Sequence, residues 1–369
     1  MKKIILLLIL LIGLISNIDA QWTPSNGPYG GEIHSLAINP IDSTVIAGTW
    51  AGGIFLSTDN GSNWKYSGLT NCCISSIAVS PDGKSIFAVS PAIVTGIFRS
   101  TDNGVSWQSV NNGLTNLYVT SIVISPDGSK IIAGTGFQGN GGGIFLSTNN
   151  GLSWIAKNNG LTNNQINSLA ISPDGTMIFA ATNNGVFLST DNGSNWTAKN
   201  NGLSISLINS LAISPVGSLI LAATNIGIFR STNFGTNWQL KDSVVNTQVN
   251  ALTFTPDGKK ILAGTWYGRG IYLSTDQGIN WNRVNNGFTD VDSIPPCVFT
   301  FAINPAGNIF FTGTQGLGIY RSDSSTINWT SSNNGLTNLQ MEAFAFSPTD
   351  ANIFSGSVSQ GIFYLMTME

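Results

Sequence analysis

The sequence predicts an all-β chain folded as one β-propeller of eight four-stranded blades, with seven blades as the second choice. Three observations carry this. The segment LSTDNGSNW stands at 56–64 and again, letter for letter, at 188–196. Variants of it recur from start points at Ser57, Ser100, Ser147, Ser189, Ser231, Ser274 and Ser322, spaced 42 to 48 residues apart. Each copy closes a unit that reads as four short strands separated by turn residues. Such units, packed face to face around an axis, are the blades of a propeller.

The elements follow in order within the unit at 168–203, SLAISPDGTMIFAATNNGVFLSTDNGSNWTAKNNGL. SLAIS is a first strand, and PDG a turn in which Pro presets φ, Asp bonds the nearby backbone and Gly takes positive φ. MIFAAT is the second strand. A loop leads to the third, GVFLS; the repeated motif then turns the chain, and Trp196 opens the fourth strand. These strands are apolar on both faces more than they alternate, which fits sheets covered on both sides. The first strand recurs eight times, beginning near Ser35, Ser76, Ser121, Ser168, Ser210, Ala251, Thr300 and Ala343. The third also recurs eight times, as GIF, GVF or GIY, ending at 361–363. Only seven motifs exist, however, and the chain stops at YLMTME. The missing fourth strand lies at the other end, where Gln21 and Trp22 begin TPSNGPYGG as Trp64 begins KYSGLTN. An N-terminal strand that completes the last blade closes the ring and leaves no open edge.

The pattern S-x-D-x-G-x-x-W resembles the Asp-box, or bacterial neuraminidase repeat, of the sialidase-like propeller superfamily. Six good copies and one worn copy, SDSSTINW at 322–329, cover nearly the whole chain beyond residue 20. The resemblance implies that the box joins the third and fourth strands of each blade. Asn149 and Asn233 stand where Asp59, Asp102, Asp191 and Asp276 stand in other copies. Asn keeps an acceptor and loses the charge, so the position needs a hydrogen bond and not an acid. The box is read as a turn, not as a repeated catalytic acid. Asp82, Asp127, Asp174 and Asp257 occupy PDG turns, with Asp42 and Asp350 at equivalent places. Asp323 belongs to the worn box, Asp19 leaves with the signal segment and Glu369 is terminal, so five acids remain: Glu32, Asp242, Asp290, Asp292 and Glu342, each read as lying between a fourth strand and the next first strand. They fall on the face opposite the boxes, here the connection face.

The chain has 369 residues, 42% of them hydrophobic and only 9% charged, with 10 Trp and 19 Phe: ample core material for one large β domain. A formal charge of -3 without runs of either sign gives no footprint for a phosphate backbone, so nucleic acid is not an expected partner. Residues 1–20 read as a secretory signal: Lys2 and Lys3, an apolar run over 4–15, then polar residues up to Ala20. The run is short for a membrane span and no second candidate follows, so no membrane insertion is expected after cleavage. Residues 21–369 are then the propeller, an exported protein, periplasmic or extracellular, and a monomer. Three cysteines make no disulfide scaffold. The adjacent Cys72 and Cys73 permit a strained vicinal disulfide, but reduced thiols are the preferred reading. His34, Cys72, Cys73 and Cys297 are spread over blades 1, 2 and 7, too dispersed for a tetrahedral metal site. GFQGNGGG at 136–143 precedes no helix and is not a phosphate loop. Neither metal nor cofactor is expected.

The expected function is recognition or scaffolding without catalysis, the ligand being a glycan or a cell-envelope or extracellular protein. Departures from the repeat gather at blades 6, 7, 8 and 1. Trp266, Tyr267 and Arg269 lie in the loop between the second and third strands of blade 6, and Trp50 in that of blade 1. Aromatic rings there supply contact area, and Arg269 with the acids orients the ligand. Phe137 occupies the same loop of blade 3, on the opposite half. The resemblance also implies an alternative, a glycoside hydrolase of the sialidase-like or xyloglucanase-like type. A carboxylate pair drawn from Asp290, Asp292, Glu342 and Glu32 would then act as acid and base. Against it, the chain has one ring, five Arg and no Arg-Ile-Pro signature.

Overall fold

The computed structural model describes residues 23–24, 33–49, 52–59, 63–69, 73–91, 95–137, 140–204, 207–241, 247–266, 269–288, 295–304, 306–314, 317–323, 328–332, 341–347, 352–357 and 361–365. They form eight antiparallel four-stranded sheets and no helix. Seven sheets take their strands in sequence order. Blade 4, for example, comprises Ile166–Ile171, Ile178–Thr182, Gly185–Ser189 and Thr197–Ala198. The eighth joins Met341–Phe346, Ile353–Ser357 and Gly361–Leu365 to the N-terminal strand Thr23–Pro24. Thr23 pairs with Tyr364 and Pro24 with Phe363. The eight blades and the closure by the N-terminal strand are as the sequence predicts; Trp22 and residues 1–20 lie outside the described residues.

First strands of consecutive blades pack against one another all round, including Ile33–Ile38 of blade 1 against Met341–Phe346 of blade 8. They are therefore the innermost strands and line the axis. Second and third strands are buried along almost every residue, as in Val45–Thr49 and Gly185–Ser189. Their side chains build a separate apolar cluster at each interface between blades, such as Phe179, Ala181, Phe229 and Trp238 between blades 4 and 5. This two-sided burial explains why the strands read as continuous apolar runs.

The boxes are turns. In blade 2, Ser100 Oγ accepts from the amide of Gly104 at 2.8 Å and donates to Asp102 Oδ1 at 2.7 Å. Asp102 Oδ1 also accepts from the Ser106 amide at 2.9 Å. Asn103 and Gly104 both hold left-handed φ, 55° and 83°, a pair repeated at Phe234–Gly235 and Gln277–Gly278. Asn149 and Asn233 accept the same serine and amide bonds through Oδ1. The Trp ring then slots against the previous blade. Trp154 Nε1 donates to the Val110 carbonyl at 2.7 Å, and its amide donates to the Asn112 carbonyl at 2.8 Å. Gly113, in the NNG sequence after the fourth strand, has φ of 91°, and a Cβ there would sit 2.1 Å from the Trp154 carbonyl oxygen. The NNG repeat is thus a clasp that only glycine completes.

Candidate ligand site at the channel mouth

On the connection face each first strand starts with a fault in its pairing. The register slips by one residue between Val119 and Ser121, Ile166 and Ser168, Ile208 and Ser210, and Val249 and Ala251. The same slip falls between Ile33 and Ser35, Val298 and Thr300, and Met341 and Ala343. The residue left over is Thr120, Asn167, Asn209, Asn250, Phe299, Glu342 or His34. A bulge re-aims one side chain out of the ladder, and here it recurs in seven blades around the channel mouth.

In blades 3 to 6 that side chain bridges to the next blade. Thr120 Oγ1 donates to the Ile166 carbonyl at 2.6 Å, Asn167 Nδ2 to Ile208 at 3.1 Å, and Asn209 Nδ2 to Val249 at 3.3 Å. Asn250 Nδ2 reaches Val298 at 3.5 Å, the longest of the four. Each acceptor is the residue just before the next bulge. Half the mouth is therefore laced by a polar belt. In blades 7, 8 and 1 the same backbone position carries Phe299, Glu342 and His34, the only histidine of the chain.

Trp266 stands beside this ring. Its amide donates to the Gln248 carbonyl at 2.9 Å, extending the pairing of the first two strands of blade 6 outward by one step. Thr247 Oγ1 donates to its carbonyl at 3.2 Å. Trp266 is half-buried and held at the inner end of its loop, near the axis. Arg269 is at the outer end: its carbonyl accepts from Arg283 Nε at 3.1 Å, in the outermost strand, and from Asn285 Nδ2 at 2.9 Å, just beyond it, and its side chain is exposed. The two ends of one loop diverge, Trp266 at the inner end and Arg269 at the outer.

Two placements differ from the sequence reading. Glu342 lies inside the first strand Met341–Phe346, not before it. Phe137 ends a second strand that runs on to pair with Asn140, so the loop of blade 3 is an extended hairpin. Trp50, Tyr267, Asp290, Asp292, Glu32, Asp242 and Cys72 lie outside the described residues. Asp242 follows Lys241, whose amide donates to the Ile228 carbonyl at 3.0 Å. That is the repeat position of Asn111, Asn158 and Asn200, which hold third-strand amides at 2.7 to 2.8 Å. Cys73 is buried and Cys297 half-buried at the starts of blades 2 and 7. Among the described residues no three of His, Cys, Asp and Glu come together as a metal cluster. No helix among them is long and apolar enough to cross a membrane.

On the box face every described turn acid is already engaged. The Ser106 hydroxyl, its amide and the Ser100 hydroxyl hold Asp102 down to about 2. The Asn195 side chain, its amide and the Ser189 hydroxyl do the same for Asp191, also to about 2. The hydroxyls of Ser125 and Ser129 lower Asp127 further. Acids stabilised as anions in this way are poor proton donors near neutrality.

Residues 272–283 match the family model described as BNR/Asp-box repeat. The chain is a β-propeller that carries a BNR/Asp-box repeat at these residues. The propeller matches no curated protein. Among solved structures it is similar to Sqt1 of Saccharomyces cerevisiae, with a TM-score of 0.73 and 12% identity over 95% of this chain and 99% of that one. It is also similar to an ancestral GH74 enzyme, with a TM-score of 0.62 and 20% identity, covering 94% of this chain and 54% of that one. At these identities the likeness is one of fold.

Proposed function

We propose that this Asp-box propeller is an exported recognition module, without catalysis, that holds its ligand at the channel mouth of blades 6, 7, 8 and 1. The ligand is a glycan or a cell-envelope or extracellular protein. One observation carries the reading: the polar belt spans the bulge positions of blades 3 to 6 and gives way to Phe299, Glu342 and His34 beyond them. Functional residues concentrate where a regular scaffold departs from its own rule. Trp266 flanks that arc, and Trp50 occupies the equivalent place in the blade 1 sequence.

Glycan-array and envelope-protein binding to residues 21–369 tests this. Trp266→Ala is expected to weaken the binding found by about tenfold or more, as loss of an aromatic anchor does, with the melting temperature unchanged. Trp50→Ala is expected to act in the same direction. Normal binding by both variants, with loss on Phe137→Ala, moves the site to the other half and overturns the placement. The hydrolase alternative, resting on Glu342 with Asp290, Asp292 or Glu32, requires release of reducing ends from a glycan panel. Recovery of a chain starting at Gln21 outside the cytoplasm tests export.

A further inference from the structure

Asparagine is thermolabile, and most so before glycine. The glycine amide nitrogen attacks the carbonyl carbon of the preceding side chain, and glycine, with no Cβ, does not hinder it. The repeat writes this pair into two places in a blade. In the box it stands at Asn103–Gly104, Asn150–Gly151 and Asn192–Gly193; in the clasp, at Asn112–Gly113, Asn159–Gly160, Asn201–Gly202 and Asn286–Gly287. Asn184–Gly185 is a further pair, in a hairpin of blade 4.

In the box the attacking nitrogen is occupied. Gly104, Gly151 and Gly193 are buried and donate their amides to Ser100, Ser147 and Ser189 Oγ at 2.8, 2.9 and 2.8 Å. Two of the asparagines are tied as well, Asn103 Nδ2 to Thr44 Oγ1 at 3.0 Å and Asn150 Nδ2 to Ser85 Oγ at 2.8 Å. Gly185 is buried in the strand ladder opposite Thr182. In the clasp all four glycines are exposed, and their amides find no acceptor among the described residues.

The asparagine side chain separates the four clasps. Asn159, Asn201 and Asn286 donate through Nδ2 to Asn195, Asn237 and Asn328, the residues before the next Trp, each at 2.5 Å. Before Trp154 that residue is Ser153, whose hydroxyl already accepts from Asn149 Nδ2 at 2.8 Å. Asn112 is exposed, and its side chain bonds to nothing among the described residues.

We propose that Asn112 is a site of covalent modification, hydrolytic deamidation through a cyclic imide, and that its isoaspartate form unlocks the seam between blades 2 and 3. The Gly113 nitrogen bonds to Asn112 Cγ, the Cγ–Nδ2 bond breaks, and the proton of the attacking nitrogen leaves with ammonia. Water then opens the ring at either carbonyl, giving aspartate or isoaspartate. In isoaspartate the main chain runs through Cβ and Cγ and is one carbon longer. The carbonyl that accepted the Trp154 amide at 2.8 Å becomes a carboxylate on a side branch. The clasp has no slack for this, since even a Cβ on Gly113 would meet the Trp154 carbonyl oxygen at 2.1 Å.

The test incubates residues 21–369 in mildly alkaline buffer and follows each asparagine by peptide mapping, with mass spectrometry separating aspartate from isoaspartate. Asn112 is expected to convert first among these pairs. It should lead Asn103, Asn150 and Asn192 by about tenfold or more, because their glycine amides must first give up a hydrogen bond. Ser153→Asn supplies the partner that the other clasps have, and is expected to slow conversion at Asn112 to the rate of Asn159. In urea the lead is expected to vanish. The purified isoaspartate fraction should melt below the parent, while Asn112→Ser, which cannot form the imide, melts with it. An Asn112 that lags behind a box pair or Asn184, keeps its rate in Ser153→Asn, or leads equally in urea overturns the site. An isoaspartate fraction that melts like the parent overturns the unlocking.

Discussion

Asp102 accepts three times: from the Ser100 hydroxyl, the Ser106 amide and the Ser106 hydroxyl. In blade 3 Asn149 keeps the first two bonds, and its Nδ2 donates to Ser153 Oγ at 2.8 Å. A hydroxyl can turn from donor to acceptor, so Asp102→Asn is expected to melt within about a degree of the parent. Asp191 differs. Its Oδ2 accepts from Asn195 Nδ2 at 2.7 Å, and Asn195 Oδ1 is occupied by Asn159 Nδ2 of the previous blade. Asp191→Asn sets two NH2 groups face to face, and flipping Asn195 would break the tie to blade 3. Its melting temperature should fall by roughly 1–3 °C, the scale of one lost hydrogen bond in a large domain. Equal melting of the two variants would show that the partner does not matter. The acids also fix a pH response. Asp102 and Asp191 are held at about 2 in the folded chain, against 3.8 for an ordinary aspartate, because their neighbours stabilise the anion. Lowered values mean that the unfolded chain binds protons first as pH falls. Their contribution is whole above the unfolded value and is lost as pH drops through the folded one. Melting temperature is expected to fall between pH 4 and 2, and the slope to flatten in the Asp102→Asn, Asp191→Asn double variant.

The clasp between blades is the element that varies most in strength. Trp154, Trp196, Trp238 and Trp329 each donate through Nε1 to a carbonyl three residues past the previous Trp, and through the amide to an NNG segment. At the seam from blade 5 to blade 6 the sequence reads KDSVVN in place of KNNGLS. Trp281, only 5% exposed, is the one buried side chain among the described residues whose polar atom finds no partner. An orphaned buried donor costs about 1–3 kcal/mol. Asp242→Asn, Ser243→Asn and Val244→Gly together rebuild the clasp, and the melting temperature is expected to rise by a few degrees. No change would mean that the clasp follows from blade packing and adds nothing to it. The repeat made these elements legible because each strand and turn is dictated locally: Pro and Gly in the PDG turn, Ser, Asp and Gly in the box. The bulges were not legible. A reading that seeks alternation starts the first strand at Ser168, where it resumes, and leaves Ile166 and Asn167 in the connection. Glu342 was displaced from its strand in the same way. The candidate site was thus only half visible in the sequence, which shows where residues depart from the repeat but not the ring of bulges on which they stand.

At the scale of the whole molecule, one pairing differs from all others in how far apart its strands are in sequence. Every other ladder joins strands of one blade that follow each other along the chain. Thr23–Pro24 pairs with Gly361–Leu365 across nearly the full length. The entropy of closing so long a loop must be met before the contact returns anything, so this pairing is expected to form last, after the blades have stacked. Once formed it covers the edge of Gly361–Leu365, where Ile362 and Phe363 are each 1% exposed. Deleting residues 21–30 removes the strand and leaves blade 8 with three. The variant is expected to lose about 3 kcal/mol or more, several backbone bonds together with the burial they protect, and to aggregate through the uncovered edge. Because an interaction absent from the transition state acts on unfolding alone, the loss should appear as faster unfolding with refolding nearly unchanged. Stopped-flow denaturant jumps on the deletion and on a chain trimmed by residues 366–369 separate the cases. Refolding slowed in proportion to the lost stability would place ring closure early, as a nucleus and not a latch.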